Sequence, residues 1–262
     1  MKNNRGTILI ITMWIMAILA LLAIGIAFRM SLELKLIRFD TNRLKAGYLA
    51  RSGINYFLSE LEKDNNNFDA LKETWSNGSD SVSKKFIFEG VPLTDDTNSS
   101  IGTFTVSYVS GINAEDGKSQ YFYGAMDEER KININKASLE ILKKLFPEPL
   151  ATYVDNWRGN GTSPGDEGYY EIPEHPYKQK HGAFNSIEEL MMVRDMTPEV
   201  FLSVKDKITV FGDGRINLNT VNFDVLKILF ESAVADEGAA DELATAMIAY
   251  RRNDSVDGDD LN

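Results

Sequence analysis

Carboxylates gather in one glycine-rich segment of this chain, between Trp157 and Pro176. Its sequence, RGNGTSPGDEGYYEIPEH, predicts a loop because glycine and proline favour turns. Hard divalent cations prefer carboxylate and carbonyl oxygens as ligands. Three acidic side chains could supply such oxygens: Asp155, just before the segment, and Asp166 and Glu167 within it. The alternative is an acidic loop that is simply solvated and holds no metal.

The residue types give little support for a catalytic site, a zinc site or a nucleic-acid-binding site. The chain has no Cys, which excludes disulfides and thiolate metal sites, and its two His, His175 and His181, have no matched carboxylate motif. No phosphate-cradling loop and no His-Glu pair at zinc spacing occurs. The formal net charge of −11 repels phosphate backbones. We therefore expect a protein that is not an enzyme, acts by binding, and does not bind nucleic acid.

An uncharged run from Thr7 to Phe28 predicts a transmembrane helix. Its 22 residues contain no charge, and at ~1.5 Å per residue they span the ~30 Å of a hydrocarbon core. The sequence continues without proline to about residue 62, so the helix should extend well beyond the membrane. An apolar stripe on that extension should pack on the soluble domain; its predicted members are Leu44, Tyr48, Phe57, Leu58 and Leu61.

Three strands and a duplication follow the helix. Alternating or clustered Thr, Val, Tyr and Phe predict strands at residues 84–89, 103–110 and 120–124. The motif KININKASLEILKKLF begins at Lys131, and RINLNTVNFDVLKILF begins 84 residues later at Arg215. Each copy predicts an extended segment, a helix capped by Asn135 or Asn219, a turn and a second helix. The repeats span residues 131–160 and 215–252, with a further helix pair between them capped at Asn185 or Ser186.

The short basic leader Met1–Gly6 ahead of this long helix resembles the prepilin signal of the type IV pilin-like superfamily. The resemblance implies cleavage between Gly6 and Thr7 by a membrane-embedded prepilin peptidase, and methylation of the new N-terminus. Most pilins have Glu as the fifth residue after cleavage, where this chain has Ile11. Together with the paired helices, this departure resembles the K-type minor pseudopilin of type II secretion. It implies a tip subunit with no neighbour above it.

The resemblance sets the expected fold and setting. The fold class is α+β: a long N-terminal helix packed on a small antiparallel sheet, with a mostly α-helical inserted domain containing duplicated helix-hairpin-helix-like units. The expected domains are a leader at 1–6, a transmembrane helix at 7–28, a pilin-like helix and sheet at 29–125 and an α-helical domain at 126–262. The implied location is the bacterial inner membrane, as a single-pass protein with its soluble domain in the periplasm.

The resemblance also implies partners and a cofactor. The partners are other minor pseudopilins in a tip complex, besides the peptidase, and the family's acidic loop at this position binds calcium. Two alternatives stay open: a minor subunit of a type IV pilus, and a membrane-anchored helix-hairpin-helix DNA receptor. The turn of the middle helix pair, residues 193–198, argues against the second, because it has no Gly and carries Asp195.

Overall fold

One helix dominates the N-terminal part of the chain. The computed structural model describes residues 5–65, 68–71, 73–76, 86–112, 119–160, 167–171, 177–234 and 236–253. Helix α1 runs from Arg5 to Leu61 without interruption, over 57 residues. Of the described helices it alone is long and apolar enough to cross a membrane. At ~1.5 Å per residue it is ~86 Å long, so more than half of it extends past a bilayer core.

The described residues fall into two compact units, within Met1–Leu61 plus Phe88–Val106 and within Glu62–Ile87 plus Ser107–Asn262. In the first unit, strands β1 (Val91–Thr94) and β2 (Ser100–Phe104) form an antiparallel hairpin, and β2 packs on α1. Asp95 orders the connecting turn, because its Oδ1 accepts hydrogen bonds from the N–H groups of Thr97 and Ser99.

The second unit contains a further hairpin and one parallel strand pair. Strands β3 (Ser107–Ile112) and β4 (Ser119–Tyr123) pair antiparallel. The two-residue strands β5 (Ile132–Asn133) and β6 (Ile208–Thr209) pair in parallel, and all four residues are buried.

Helices make up most of the rest of this unit. They are α2 (Leu139–Leu145), α3 (Leu150–Trp157), α4 (Glu167–Tyr170), α5 (Pro198–Val204), α6 (Phe223–Ala233) and α7 (Glu237–Asn253). Two 3₁₀ helices span Glu128–Arg130 and Ile187–Met192. Helix α2 packs on α3 and on α6, and α6 packs on α7, so the two helix pairs share one core.

The predicted fold class is confirmed, but the strands differ from the prediction. Of the predicted strand 84–89, residues 84 and 85 lie outside the described residues, and 87–90 form a turn and bend. The predicted strand 103–110 is two strands, β2 and β3, that pair with different partners. Alternation predicted extended backbone correctly here, but it does not reveal where a chain leaves one sheet for another. The compact units divide at residues 61, 87 and 106, and the predicted domain bounds 29–125 and 126–262 stay a prediction.

Candidate functional site

The apolar part of α1 presents apolar side chains in all directions. Every residue from Ile8 to Phe28 is exposed, and the first charged residue after Arg5 is Arg29. Ile11, at the position where most pilins have Glu, is one of these exposed side chains. Gly6 and Thr7, the predicted cleavage pair, lie in the first turn of α1, and residues 1–4 of the predicted leader lie outside the described residues.

The outer half of α1 meets the β1–β2 hairpin at glycines. Gly53 is buried, and a Cβ at this position would stand 3.2 Å from the Phe104 ring. Gly102 of β2 approaches Leu49 so closely that an added Cβ would stand 2.8 Å from it. Tyr56 packs edge-on against Phe104, with ring centroids 5.8 Å apart. These contacts define the face of α1 that packs on the hairpin.

The predicted packing stripe is therefore largely wrong. Leu44 is 63% exposed and Tyr48 is 65% exposed, and of the five predicted members only Phe57 stacks on an aromatic ring of the hairpin region, Phe88. The hairpin packs where glycines let the two backbones approach, and hydrophobicity alone did not reveal that face. What remains is an exposed face, here named the outer stripe, consisting of Asp40, Arg43, Leu44, Gly47, Tyr48 and Arg51.

The duplication in the sequence is a duplication of hydrogen bonds. Asn133 Oδ1 accepts from the N–H of Asn135 at 2.9 Å, and Asn217 Oδ1 accepts from that of Asn219 at 3.0 Å. In both copies the carbonyl of the first Asn then accepts a hydrogen bond from the residue four positions on. The first Asn of each copy thus fixes the same turn ahead of its helix.

The predicted caps Asn135 and Asn219 are wrong by three residues. The residues that cap are Ser138, which accepts from the N–H of Ile141, and Asn222, which accepts from that of Val225. Asn135 instead makes two hydrogen bonds with the backbone of Phe184, at 2.7 and 3.0 Å. The turn at the first Asn of each copy delays the start of the helix, so the capping residue lies three positions later than predicted.

Glu189 joins three segments of the helical module. Its carboxylate accepts hydrogen bonds from Trp157 Nε1 at 3.1 Å, Lys180 Nζ at 2.9 Å and the N–H of Asn185 at 2.9 Å. The predicted cap is not made as expected: Ser186 stands at the N-cap of this 3₁₀ helix without a side-chain capping hydrogen bond, and Glu189 accepts instead from the N–H of Asn185, the residue before it. Burial raises the pKa of Glu189, but these hydrogen bonds together outweigh it and hold the pKa below its usual value.

Among the predicted metal ligands, Asp155 is engaged with an arginine. Its Oδ1 accepts from Arg158 Nε at 2.8 Å and Nη2 at 2.6 Å, and Arg158 Nη1 donates to the carbonyl of Ile134 at 2.7 Å. Asp155 could therefore offer a cation only Oδ2. Asp166 and the side chain of Glu167 lie outside the described residues, so calcium binding by these three residues stays a prediction.

Two oxygen donors near this loop were missed by the sequence analysis. Glu171 and Gln179 line a cavity of about 210 Å³ together with Tyr170, Lys178 and His181. Gln179 is only 8% exposed, and its Nε2 has no hydrogen-bond partner among the described residues. Amide nitrogen and oxygen are interchangeable by a half-turn of the side chain, which would direct Oε1 to where Nε2 stands. A carboxylate with an amide oxygen is a donor set suited to calcium.

A second acidic group lies at Asp64, Asp69 and Glu73, where carboxylate oxygens come within 4.8 Å of one another. Burial first, and then the charges of Asp127, Glu73 and Asp64, raise the pKa of Asp69. Glu73 Oε2 already accepts hydrogen bonds from the N–H of Ala70 and from Trp75 Nε1, both at 2.8 Å. Acidic residues at this spacing in a polar segment are too common for the sequence to have predicted the group.

The turn of the middle helix pair differs from a phosphate-binding hairpin. The guanidinium of Arg194 lies over the rings of Tyr153 and Tyr169, 4.8 and 5.0 Å from their centroids. The N–H of Arg194 donates to the Tyr170 hydroxyl at 2.9 Å. Asp195 occupies the left-handed position, with φ of 60°, and places a carboxylate at the tip.

These features define a fold: a long apolar N-terminal helix that packs on a small hairpin, together with a helical module. This arrangement is pseudopilin-like, as a comparison with solved structures shows. No family model and no curated protein matches the chain. Among solved structures, it is similar to a chain of the crystal structure of the GspK-GspI-GspJ complex from the enterotoxigenic Escherichia coli type 2 secretion system. The TM-score is 0.52 at 15% sequence identity, over 76% of this chain and 70% of that chain. At this identity the likeness establishes the fold.

Proposed function

We propose that this chain is a minor pseudopilin of the K type, which sits at the tip of a type II secretion pseudopilus and supports fibre initiation and protein export. It acts by binding neighbouring minor pseudopilins, with its anchor in the inner membrane and its soluble domain in the periplasm. The observation that carries the proposal is the unbroken α1, which passes from an apolar span of exposed side chains into a pseudopilin-like domain.

Ile11 supports the tip position. A charged side chain at this depth of the membrane requires a partner group, because leaving it unpaired in hydrocarbon is costly. Ile11 needs none, so the subunit can stand where no neighbouring N-terminus reaches it. The paired helices support the same position, because they enlarge the soluble domain beyond a helix and hairpin, and the added bulk would block a further subunit above.

Calcium binding by the acidic loop is part of the proposal. Asp155, Asp166 and Glu167 are the sequence-based ligands, and Glu171 and Gln179 are the described donors that line a cavity. We expect calcium to raise the melting temperature of the chain, and Glu171→Gln to reduce that rise. Glu140→Gln, a change at an exposed carboxylate of α2, serves as the control and should leave it intact. An equal rise in all three proteins would mean that calcium acts elsewhere.

Intact-mass spectrometry of the membrane-expressed chain, with and without a prepilin peptidase, tests the central claim. We expect a peptidase-dependent loss of Met1 to Gly6 and a methyl group on Thr7. Gly6→Leu is the matched control, since it should block cleavage without changing the anchor. A wild-type chain that stays uncut would overturn the assignment to this class. A chain that is cut but is required for pilus assembly instead of secretion would be a type IV pilus subunit.

A further inference from the structure

The segment of α1 just outside the membrane has a charge opposite to that of the whole chain. Between Arg29 and Arg51 it carries six basic and two acidic residues, whereas the chain has 28 basic and 39 acidic residues. Of these charges, Arg29 is paired with Glu33 at 3.2 Å. The outer stripe contains Arg43 and Arg51, both exposed and neither in an ion pair within the described part of the chain. Two exposed arginines without an ion pair to any described residue suit an external group of opposite charge.

The outer stripe also has the composition of a contact surface. Leu44, Gly47 and Tyr48 lie between the two arginines, and aromatic and arginine side chains are enriched where proteins meet. Of the described residues, those that line a groove of about 710 Å³ are the six of the outer stripe.

Gly47 strengthens this interpretation. A Cβ at Gly47 would meet nothing within 4 Å, in contrast to the crowded Gly53. A glycine within a helix costs about 1 kcal/mol relative to Ala, and no contact with a described residue requires a glycine at this position. The close approach of a second helix would require a residue without a side chain at this position.

The outer stripe lies too far from the membrane to contact lipid headgroups. Phe28 ends the apolar run, so Arg43 and Arg51 lie ~22 and ~34 Å further along an upright helix. The headgroup region adds only ~5–7 Å to each side of the hydrocarbon core, and charge interactions fade over ~8 Å at physiological ionic strength. A protein anchored in the same membrane can reach this height, and its own anchor helix would run parallel to α1.

We propose that the outer stripe of α1 docks the parallel anchor helix of a neighbouring subunit, which presents two carboxylates eight residues apart to Arg43 and Arg51 and a basic side chain to Asp40. The spacing follows from α1, where eight residues of helix separate the arginines by ~12 Å. The inference rests on the proposed function, because it takes the partner to be another subunit anchored in the same membrane. It adds which face of α1 is used and what charge pattern the partner must carry.

The test measures association by energy transfer between the full-length chain and two designed single-span helices in phosphatidylcholine nanodiscs. One test helix carries Lys, Glu and Glu at the heights of Asp40, Arg43 and Arg51, and the other carries Gln at all three. We expect the charged helix to bind roughly tenfold more tightly, as a few partly shielded ion pairs allow. Arg43→Gln with Arg51→Gln should remove most of the difference between the two helices, leaving only the contribution of the Lys that faces Asp40.

A matched double variant controls for total charge. Arg38→Gln with Lys45→Gln removes two exposed basic residues on the opposite face of α1 and should keep the tenfold preference. Equal binding of both test helices, or equal loss in both double variants, would overturn the proposal. Loss of the preference when phosphatidylglycerol is added would also overturn it, because lipid would then occupy the outer stripe. Energy transfer between copies of the chain that outcompetes the test helix would overturn it as well. Leader cleavage is measured in a separate experiment. An uncut leader would therefore contradict the proposed function without deciding whether the outer stripe binds the charged helix.

Discussion

At the scale of single residues, one buried ion pair ties the first repeat together. Arg158 is only 8% exposed, and it connects Asp155 of α3 with the carbonyl of Ile134, in the segment that leads into α2. A buried guanidinium is tolerated because every bond is made to a charged or strongly polar oxygen. The pair therefore fixes the position of the chain that leads into α2 relative to α3.

Asp155→Ala should destabilise the chain strongly, because it leaves the Arg158 charge buried without its counter-ion. Breaking such a pair costs about 3–5 kcal/mol, measured as the free energy of unfolding in urea with the chain in detergent micelles. The control is Glu140→Ala, which breaks an i,i+3 pair with Lys143 whose side chains are 67% and 37% exposed. That change should cost less than ~1 kcal/mol. Equal costs would mean that Arg158 is solvated in the folded chain.

Glu189 should make the free energy of unfolding depend on pH in the acidic range. Hydrogen bonds hold its pKa below the usual 4.5, despite burial, so its stabilisation is present above that pH and is lost as pH falls through the lower folded value. Asp69 and Glu129 act oppositely, because burial, assisted by neighbouring carboxylates, raises the pKa of each. Glu189→Gln isolates the first effect: its loss of stability should be largest near neutral pH and shrink below pH 4.5.

The measurement is the free energy of unfolding of both proteins across that pH range. Glu140→Gln provides the matched exposed carboxylate, and its difference from the wild type should stay small throughout. A difference for Glu189→Gln that does not change with pH would contradict the assigned ionisation.

The residue scale also shows what the sequence can predict. The Asn-hydrophobic-Asn repeat correctly predicted two equivalent helix pairs, because a short-range turn and helical periodicity are local properties. The capping residues were missed, since Ser138 and Asn222 became identifiable only once the turn at the first Asn was known. Glu171 and Gln179 could not be predicted as neighbours, because only tertiary packing brings them to one cavity.

At the scale of elements, two glycines of α1 have opposite roles. Gly53 faces Phe104 and Val106 at contact distance, and Gly47 faces open space. The sequence shows both as glycines inside a helical run, and only the position of the hairpin distinguishes them. The helix itself was predictable, because 57 residues without an internal proline leave few alternatives. The face by which α1 packs could not be predicted, because it depends on a hairpin about forty residues away in the sequence.

The same substitution at the two glycines should therefore have opposite effects. Gly53→Leu forces a side chain between α1 and β2 and should cost about 1–3 kcal/mol. Gly47→Leu should stabilise the isolated chain by up to about 1 kcal/mol, since leucine favours helix and meets nothing there. Urea unfolding in micelles measures both. If Gly53→Leu proved as stable as Gly47→Leu, the observed packing of α1 on β2 would be wrong.

At the scale of the whole molecule, charge and topology give opposing indications. Only Lys2 and Arg5 precede the apolar run, whereas five basic residues follow it within twenty residues: Arg29, Lys35, Arg38, Arg43 and Lys45. Counting basic residues alone would place the C-terminal side in the cytoplasm. The proposed function requires the opposite orientation, and long domains can cross the membrane regardless of flanking charge. The basic residues then need a role outside the cytoplasm, which docking of a neighbouring helix would provide.

The orientation can be measured with one introduced cysteine, because the chain has none of its own. Ser203 of α5 is exposed, so Ser203→Cys should react with a membrane-impermeant maleimide added to intact spheroplasts. Permeabilising the cells should then add little further labelling. Val204→Cys, one residue on and buried, is the matched control and should react only after unfolding. Labelling of Ser203→Cys that appears only after permeabilisation would place the soluble domain in the cytoplasm. In that case the basic segment of α1 would simply obey the positive-inside rule, and neither a pseudopilus nor a periplasmic helix partner would be needed to explain it.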